Sequence, residues 1–459
     1  MWKHHKLELM ALTAGALLAQ QPPPAALTVA QAVQDALHNY PSVQVSQEQI
    51  NAAAAGIRLA RTAYLPRVDG LAQLNRATRN NVFGLLLPQS VIPSMSGPVI
   101  GSNNLGTAWG SAIGTLVTWE PFDFGQRESN VSLATAARAQ SEASLGRTRY
   151  EVTVATVDAY LTIAAAQETV RAAQAGVDRS QTVARTIDAL ANAQLRPGAD
   201  ASRAQAELAA ARTQLIQAQQ AVDVARANLA QFVGGEPAGM AISASALLQL
   251  PPEKIAEPLN VAANPIAIEQ NAVIAQAQAQ LRVLERSYFP RFFLQGSAYA
   301  RGTSAETNGM LLGGLNGLAP SVQNYALGFT VSFPLFDLPS LRARELAQAS
   351  AIRAQTARAE QIAVDLRARW NIAAANVAGA RRIAANTPIQ VSAARAAAEQ
   401  ATARYQSGLG NIDEVAEAQR LLTQAEIDDA LARLGVWRGL LGIAAAAGDL
   451  EPFIAEAGK

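Results

Sequence analysis

The 459-residue chain has no cysteine. That excludes a disulfide scaffold, thiolate metal sites, thiol catalysis and a lipid carried on an amino-terminal cysteine. Aromatic residues make up 5% of it, charged residues 16%, and the formal net charge is +1; so neutral a chain is not built to coat nucleic acid. Of its three histidines, His4 and His5 sit at the extreme amino terminus and His38 stands alone near Pro41. With no metal cluster and no nucleophile–base arrangement in view, neither enzyme activity nor a cofactor or metal is expected. The glycine-rich stretch from Gly309 to Gly317 lacks the lysine and the strand-then-helix setting of a phosphate loop. What the chain does have is apolar content that is mostly alanine, with much Gln, Arg and Glu, a composition that points to long helices. Length alone would suggest several domains.

Lys3, His4, His5 and Lys6 precede an apolar run from Leu9 to Ala19, followed by Gln20-Gln21-Pro22-Pro23-Pro24. A basic start, a short apolar core and a small residue before a polar stretch predict an export signal over 1–19. The run is too short to span a bilayer, and no other sufficiently long apolar stretch is evident. A transmembrane helix is therefore not expected, and a chain that crosses a membrane without one must do so as a barrel.

An internal repeat organises the rest. Pro41 and Pro66 recur 224 positions later as Pro265 and Pro290, and the second of each pair lies in a YxPR motif, Tyr64-Leu65-Pro66-Arg67 and Tyr288-Phe289-Pro290-Arg291. Phe122-Asp123 recurs 214 positions later as Phe336-Asp337, and Ala204-Gln205 as Ala418-Gln419. Each half reads as a helix, a strand after YxPR, a polar Gly/Pro-rich loop, a second strand ending near Phe-Asp, and two long helices joined by a turn. This predicts a first repeat over 27–236, with strands at about 66–76 and 108–120 and helices at about 124–195 and 199–232. A linker follows over 237–259. The second repeat covers 260–450, with strands at about 291–301 and 324–336 and helices at about 340–406 and 412–445, and 451–459 is a tail.

The strand segments alternate. Tyr325, Leu327, Phe329, Val331 and Phe333 share one face, and Ala326, Gly328, Thr330 and Ser332 the other. Segments of about ten residues that are apolar on one side and small or polar on the other suit a membrane barrel. Four strands cannot close a barrel with a lumen, and an open edge is not tolerated in lipid, so several identical chains must contribute. The loops 77–107 and 303–323 suit an outer surface, and Phe83-Gly84-Leu85-Leu86-Leu87 is an apolar patch within the first.

The proline-free stretch 127–195 would make a helix of about 100 Å at 1.5 Å per residue, too polar to lie in lipid. Leu208, Leu215, Val222 and Leu229 recur every seven residues with Ala211, Ala218, Ala225 and Phe232 between them, a heptad seam in which alanine permits close approach. The turns joining the long helices are Leu195-Arg196-Pro197-Gly198, followed by Asp200, and Gly408-Leu409-Gly410-Asn411, followed by Asp413, Glu414 and Glu417. Acids in a first helical turn favour the helix dipole. In a closed ring of identical chains the same acids would become circles of charge that set a cation preference and define a gate.

Taken together, the duplicated layout, the YxPR and Phe-Asp motifs and the paired long helices resemble the TolC-like outer-membrane efflux proteins from about Leu27 to Leu450. The resemblance implies an α+β membrane protein: a homotrimer whose twelve-stranded β-barrel, four strands per chain, continues into a long periplasmic α-helical barrel. It implies residence in the outer membrane of a Gram-negative-type cell and service as the passive exit duct of a tripartite efflux pump or type I secretion system. The duct would be opened at its periplasmic end by partners, namely a periplasmic adaptor and an inner-membrane pump or ABC transporter. By the same resemblance Tyr405 matches the gate tyrosine, Glu414 and Glu417 the paired acids, and Asp200 the acid that accepts from a gate arginine. Leu195, Arg196, Pro197, Gly198, Gly408, Leu409, Gly410 and Asn411 lie in the turns that meet the adaptor. Gly410 stands where the arginine is expected, leaving Arg196 and Arg404 as the candidates to replace it. Gly234 to Pro258 and the tail would contribute to an equatorial belt. The competing reading is an exported coiled-coil scaffold without a pore.

Overall fold

A computed structural model describes residues 26–78, 107–253, 259–304, 310 and 312–459. The expected export signal and the Phe83–Leu87 patch lie outside the described residues. The elements run α1 Val29–Asn39, α2 Pro41–Thr62, β1 Arg67–Thr78, β2 Thr107–Trp119, α3 Gln126–Asn192, α4 Gly198–Val233, α5 Pro265–Arg286, β3 Arg291–Thr303, β4 Val322–Ser332, α6 Leu338–Gln406, α7 Ile412–Ala447 and α8 Glu451–Ala457. The sequence α2-β1-β2-α3-α4 is repeated as α5-β3-β4-α6-α7. Helices α2 and α5 have 22 residues each, and α4 and α7 have 36 each.

Local chemistry sets the boundaries. Thr28 and Gln31 form a reciprocal capping box at the start of α1. The helix stops at Tyr40, which is extended because it precedes Pro41, and Pro41 then opens α2. In the second repeat Asn264 caps α5 by accepting from Ile266 N at 3.0 Å, with Pro265 at the first helical position. Strand β4 ends at Ser332, short of the 336 read from the alternation, because Pro334 has no N–H to donate and the chain turns there through Leu335 N→Phe333 O.

The chain divides into two compact units: Pro41–Thr148 with Asn260–Leu366, and Met1–Tyr40 with Arg149–Leu259 and Arg367–Lys459. The first holds the sheet, antiparallel throughout in the order β1-β2-β3-β4. The central pairing, β2 with β3, joins strands of different repeats. The register aligns Val68, Val117, Gly296 and Leu327 in one row, so one face carries Val68, Leu74, Ile113, Trp119, Tyr325, Leu327, Phe329 and Val331. All of these are exposed, Tyr325 at 89%. The opposite face carries Gln73, Gln295, Ser297, Tyr299, Asn324 and Thr330. Helices α2 and α5 are held by Ser46 Oγ–Thr148 Oγ1 at 3.1 Å, Arg147–Glu269 at 2.8 Å and Gln270 Nε2→Gln355 O at 3.0 Å.

The second unit is helical. Its core gathers Tyr160, Leu161 and Ile163 of α3, Leu229 of α4, Trp437 and Leu440 of α7, and Phe453 of α8. The heptad seam of α4 is buried at Leu208, Ala218, Val222, Ala225 and Leu229. Tyr160 donates to Leu27 O at 2.8 Å and Ser243 O at 2.6 Å, pinning the incoming chain beside the segment after α4, and burial pushes its phenol up to about 12. Trp437 stacks edge-on against Phe453 and donates to Gln249 O at 3.0 Å. The residues after 450 are thus part of the core through α8. Contrary to the expectation that no helix could span a bilayer, α7 is long and apolar enough to do so. Its apolar stretch is mostly buried against other helices, which accounts for the composition.

Candidate functional site

The turns 193–197 and 407–411 lie in the helical unit. In the first, Gln194 takes a positive φ of 59° and Pro197 an extended conformation from which α4 starts. In the second, Gly408 supplies φ +80° and lets Leu409 N bond Arg404 O at 2.9 Å, closing α6. Asn411 then caps α7, its Oδ1 accepting from Glu414 N at 2.8 Å. Both turns present one bare apolar residue: Leu195 is 70% exposed and Leu409 74%.

Beneath them a small core of Val177, Ala184, Ile187, Ala204, Leu208, Ile412 and Val415 encloses Tyr405, which is 3% exposed. The Tyr405 hydroxyl donates to Asp200 Oδ2 at 2.9 Å. Burial, reinforced by this bond, pushes the phenol up to about 12, so it remains a neutral donor. Arg196 lies over the Tyr405 ring at 4.5 Å and donates to the Tyr405 carbonyl. One residue of α6 is thereby tied to both ends of the first turn.

Three of the four acids expected at this site are near arginines of the same chain, and the fourth, Asp200, accepts from Tyr405. Asp413 meets Arg203 at 3.4 Å, Glu414 meets Arg404 at 3.8 Å, and Glu417 pairs with Arg420. Arg203 also reaches Glu207 at 3.0 Å, and Arg404 donates to Leu409 O at 3.2 Å. Of the turn residues, the structure thus brings Asp200, Arg196 and Tyr405 into one network. Asp413, Glu414 and Glu417 lie on the exposed side, outside it. Arg203 and Arg420 were not singled out from the sequence. The i,i+4 spacing of Arg203 and Glu207 was visible there, but the reach of Arg203 to Asp413 across helices was not.

The 214-residue repeat offset relates the two turns residue by residue. Asp200 corresponds to Glu414, Arg203 to Glu417, and Arg196 to Gly410. The first turn thus carries a cation, Arg196, at the place where the second carries Gly410. Gly410 itself has little room: a Cβ there would sit 3.1 Å from Glu414 Oε2 and 3.3 Å from both Arg404 Cβ and Tyr405 N.

Comparison with known proteins gives a consistent picture. The family model described as outer membrane efflux protein matches residues 32–235 and 264–449. A comparison with curated protein sequences gave no match. Among solved structures, the outer-membrane channel OprN superposes with a TM-score of 0.71 at 21% identity, over 92% of this chain and 89% of that one. VceC of Vibrio cholerae superposes at 0.70 and 16% identity, over 92% and 96%. The open state of the MtrE outer membrane channel of Neisseria gonorrhoeae superposes at 0.69 and 18% identity, over 92% and 89%. At these identities the likeness concerns the fold: long helices with a small antiparallel sheet.

Proposed function

Because the chain belongs to the outer membrane efflux protein family, we propose that it is the outer-membrane exit duct of a tripartite efflux pump or type I secretion system. Three copies pair the free edges of β1 and β4 into a twelve-stranded barrel, and the helices stand in the periplasm of a Gram-negative-type cell. The observation that carries this reading is the sheet. Its large exposed apolar side chains are concentrated on one face, Val322 being the exception, its other face carries most of the polar residues, and among the described residues neither edge strand has an outer partner. In lipid such a sheet is stable only when closed by copies of itself.

The turn network supports a gate. Tyr405, Asp200 and Arg196 clasp the α6–α7 turn to the α3–α4 turn, and Asp413, Glu414 and Glu417 border it. The exposed Leu195 and Leu409, with Pro197, Gly198, Gly410 and Asn411 around them, form the surface for a periplasmic adaptor. That adaptor would link the duct to an inner-membrane pump or ABC transporter. A partner that engages the tips and draws the two turns apart opens the passage, and the energy comes from that partner.

Purified protein in detergent should have the mass of a trimer and form pores in planar bilayers. Replacing both ties, as Y405F with R196Q, should raise the conductance of a pore that is closed at rest. A monomer without conductance would sink the duct and favour a poreless coiled-coil scaffold.

A further inference from the structure

The strand register sorts the charges of the four strands onto one face or the other: Arg76 lies on the apolar face, and Arg67, Asp69, Arg291 and Arg301 on the polar one. The polar face contains the rows Leu71–Gly114–Tyr299–Asn324 and Gln73–Ala112–Arg301–Val322, the second lying toward the end of the sheet away from the helices. Its other charges are compensated at close range: Arg67 pairs with Asp69 at 2.9 Å, and Arg291 with Glu120 at 2.7 Å. Arg301 is the exception. Its side chain is exposed, its cross-strand neighbours Ala112 and Val322 offer no acceptor, and among the described residues no acid lies within ion-pair distance. The loop sequences beyond this row contribute one charge of each sign, Arg79 and Glu306, and leave the imbalance as it is. At the helix turns, by contrast, Asp413, Glu414 and Glu417 each have an arginine of the same chain nearby.

We propose that Arg301 makes the outer mouth of the duct anion-preferring, so that negatively charged solutes pass more readily than positive ones. This rests on the duct reading. Three copies about one axis would set three guanidinium groups at one level, and a guanidinium keeps its charge at any physiological pH. Low-dielectric walls focus the field of such a ring into the opening. Because the lumen is wet, the effect must depend on salt: the screening length is about 30 Å at 0.01 M and about 3 Å at 1 M.

The test is the reversal potential of single pores under a KCl gradient. With salt near 0.01 M, R301Q should shift the anion-to-cation permeability ratio roughly twofold toward potassium, and R301E further, with both shifts collapsing near 1 M. R301K, which keeps the charge, should retain the wild-type ratio, separating loss of charge from disturbance of the strand. Pores of R301Q and R301E with the wild-type ratio at low salt would overturn the proposal while leaving the duct intact. Failure of the wild-type protein to form any pore would overturn the duct reading, and the mouth with it.

Discussion

Helices α4 and α7 are repeat partners of equal length, each beginning at one of the two turns, yet they are buried very differently. Their seams agree position by position: Leu208 with Leu422, Ala218 with Ala432, Val222 with Val436 and Leu229 with Ile443, all buried. They part on a second face. Where α7 has Ile427, Leu434, Trp437 and Leu440, all buried, α4 has Thr213, Gln220, Asp223 and Arg226. One face is therefore common to both repeats, whereas the other is a feature of the second alone. That second face holds the segment around Leu247 and Gln249 together with α8, so α7 is enclosed on two sides and α4 on one.

The comparison can be broken most sharply at Trp437 and its counterpart Asp223. Trp437→Ala should cost about 3–5 kcal/mol, through the cavity and the abandoned Gln249 carbonyl. Asp223→Ala, at an exposed site, should stay within about 0.5 kcal/mol. Denaturant or thermal unfolding of the assembled protein would decide, and comparable losses would contradict the one-sided picture of α4. The shared seam predicts the opposite pattern: Leu229→Ala and Ile443→Ala should both be destabilising, by about 2–5 kcal/mol, and should match each other within a factor of two. If Leu229→Ala is mild, the seam of α4 is not equivalent to that of α7.

A smaller effect belongs to the turns where the two helices begin. Tyr405→Phe removes the bond to Asp200 and should cost about 1–2 kcal/mol. The pH dependence has a definite sign. The folded phenol titrates at about 12 against an ordinary value of 10, so its contribution is present below pH 10 and fades as pH rises toward 12. The gap between wild type and Y405F should be constant at neutral pH and narrow over that interval. In a spectrophotometric titration of the native protein, Tyr160 and Tyr405 should both resist ionisation up to about 12, and the variant should lose one of the two.

Much of the fold was legible because the sequence states it redundantly. Four alternating segments, two YxPR motifs and long proline-free stretches each repeat, and the heptad in α4 is spelled by Leu and Val against Ala. What stayed hidden was information carried by distance. The second face of α7 is dispersed among alanines, so neither its near-continuous apolarity nor its partner α8 was evident. At the site, the acids and Tyr405 could be named from the chain. The reach of Arg196 to Tyr405 spans 209 positions and that of Arg203 to Asp413 spans 210, and no local pattern reports contacts of that kind.

The open-edged sheet also has a consequence for inheritance and dosage. If a barrel closes only when every edge finds a partner, its integrity is a property of the set of subunits. A variant whose β1 edge cannot pair would still offer a sound β4 edge, enter mixed assemblies and leave them unclosed. With three copies to a barrel, as proposed above, the yield of intact ducts would fall as the cube of the sound fraction, so one faulty copy of the gene expressed beside a good one would behave as dominant.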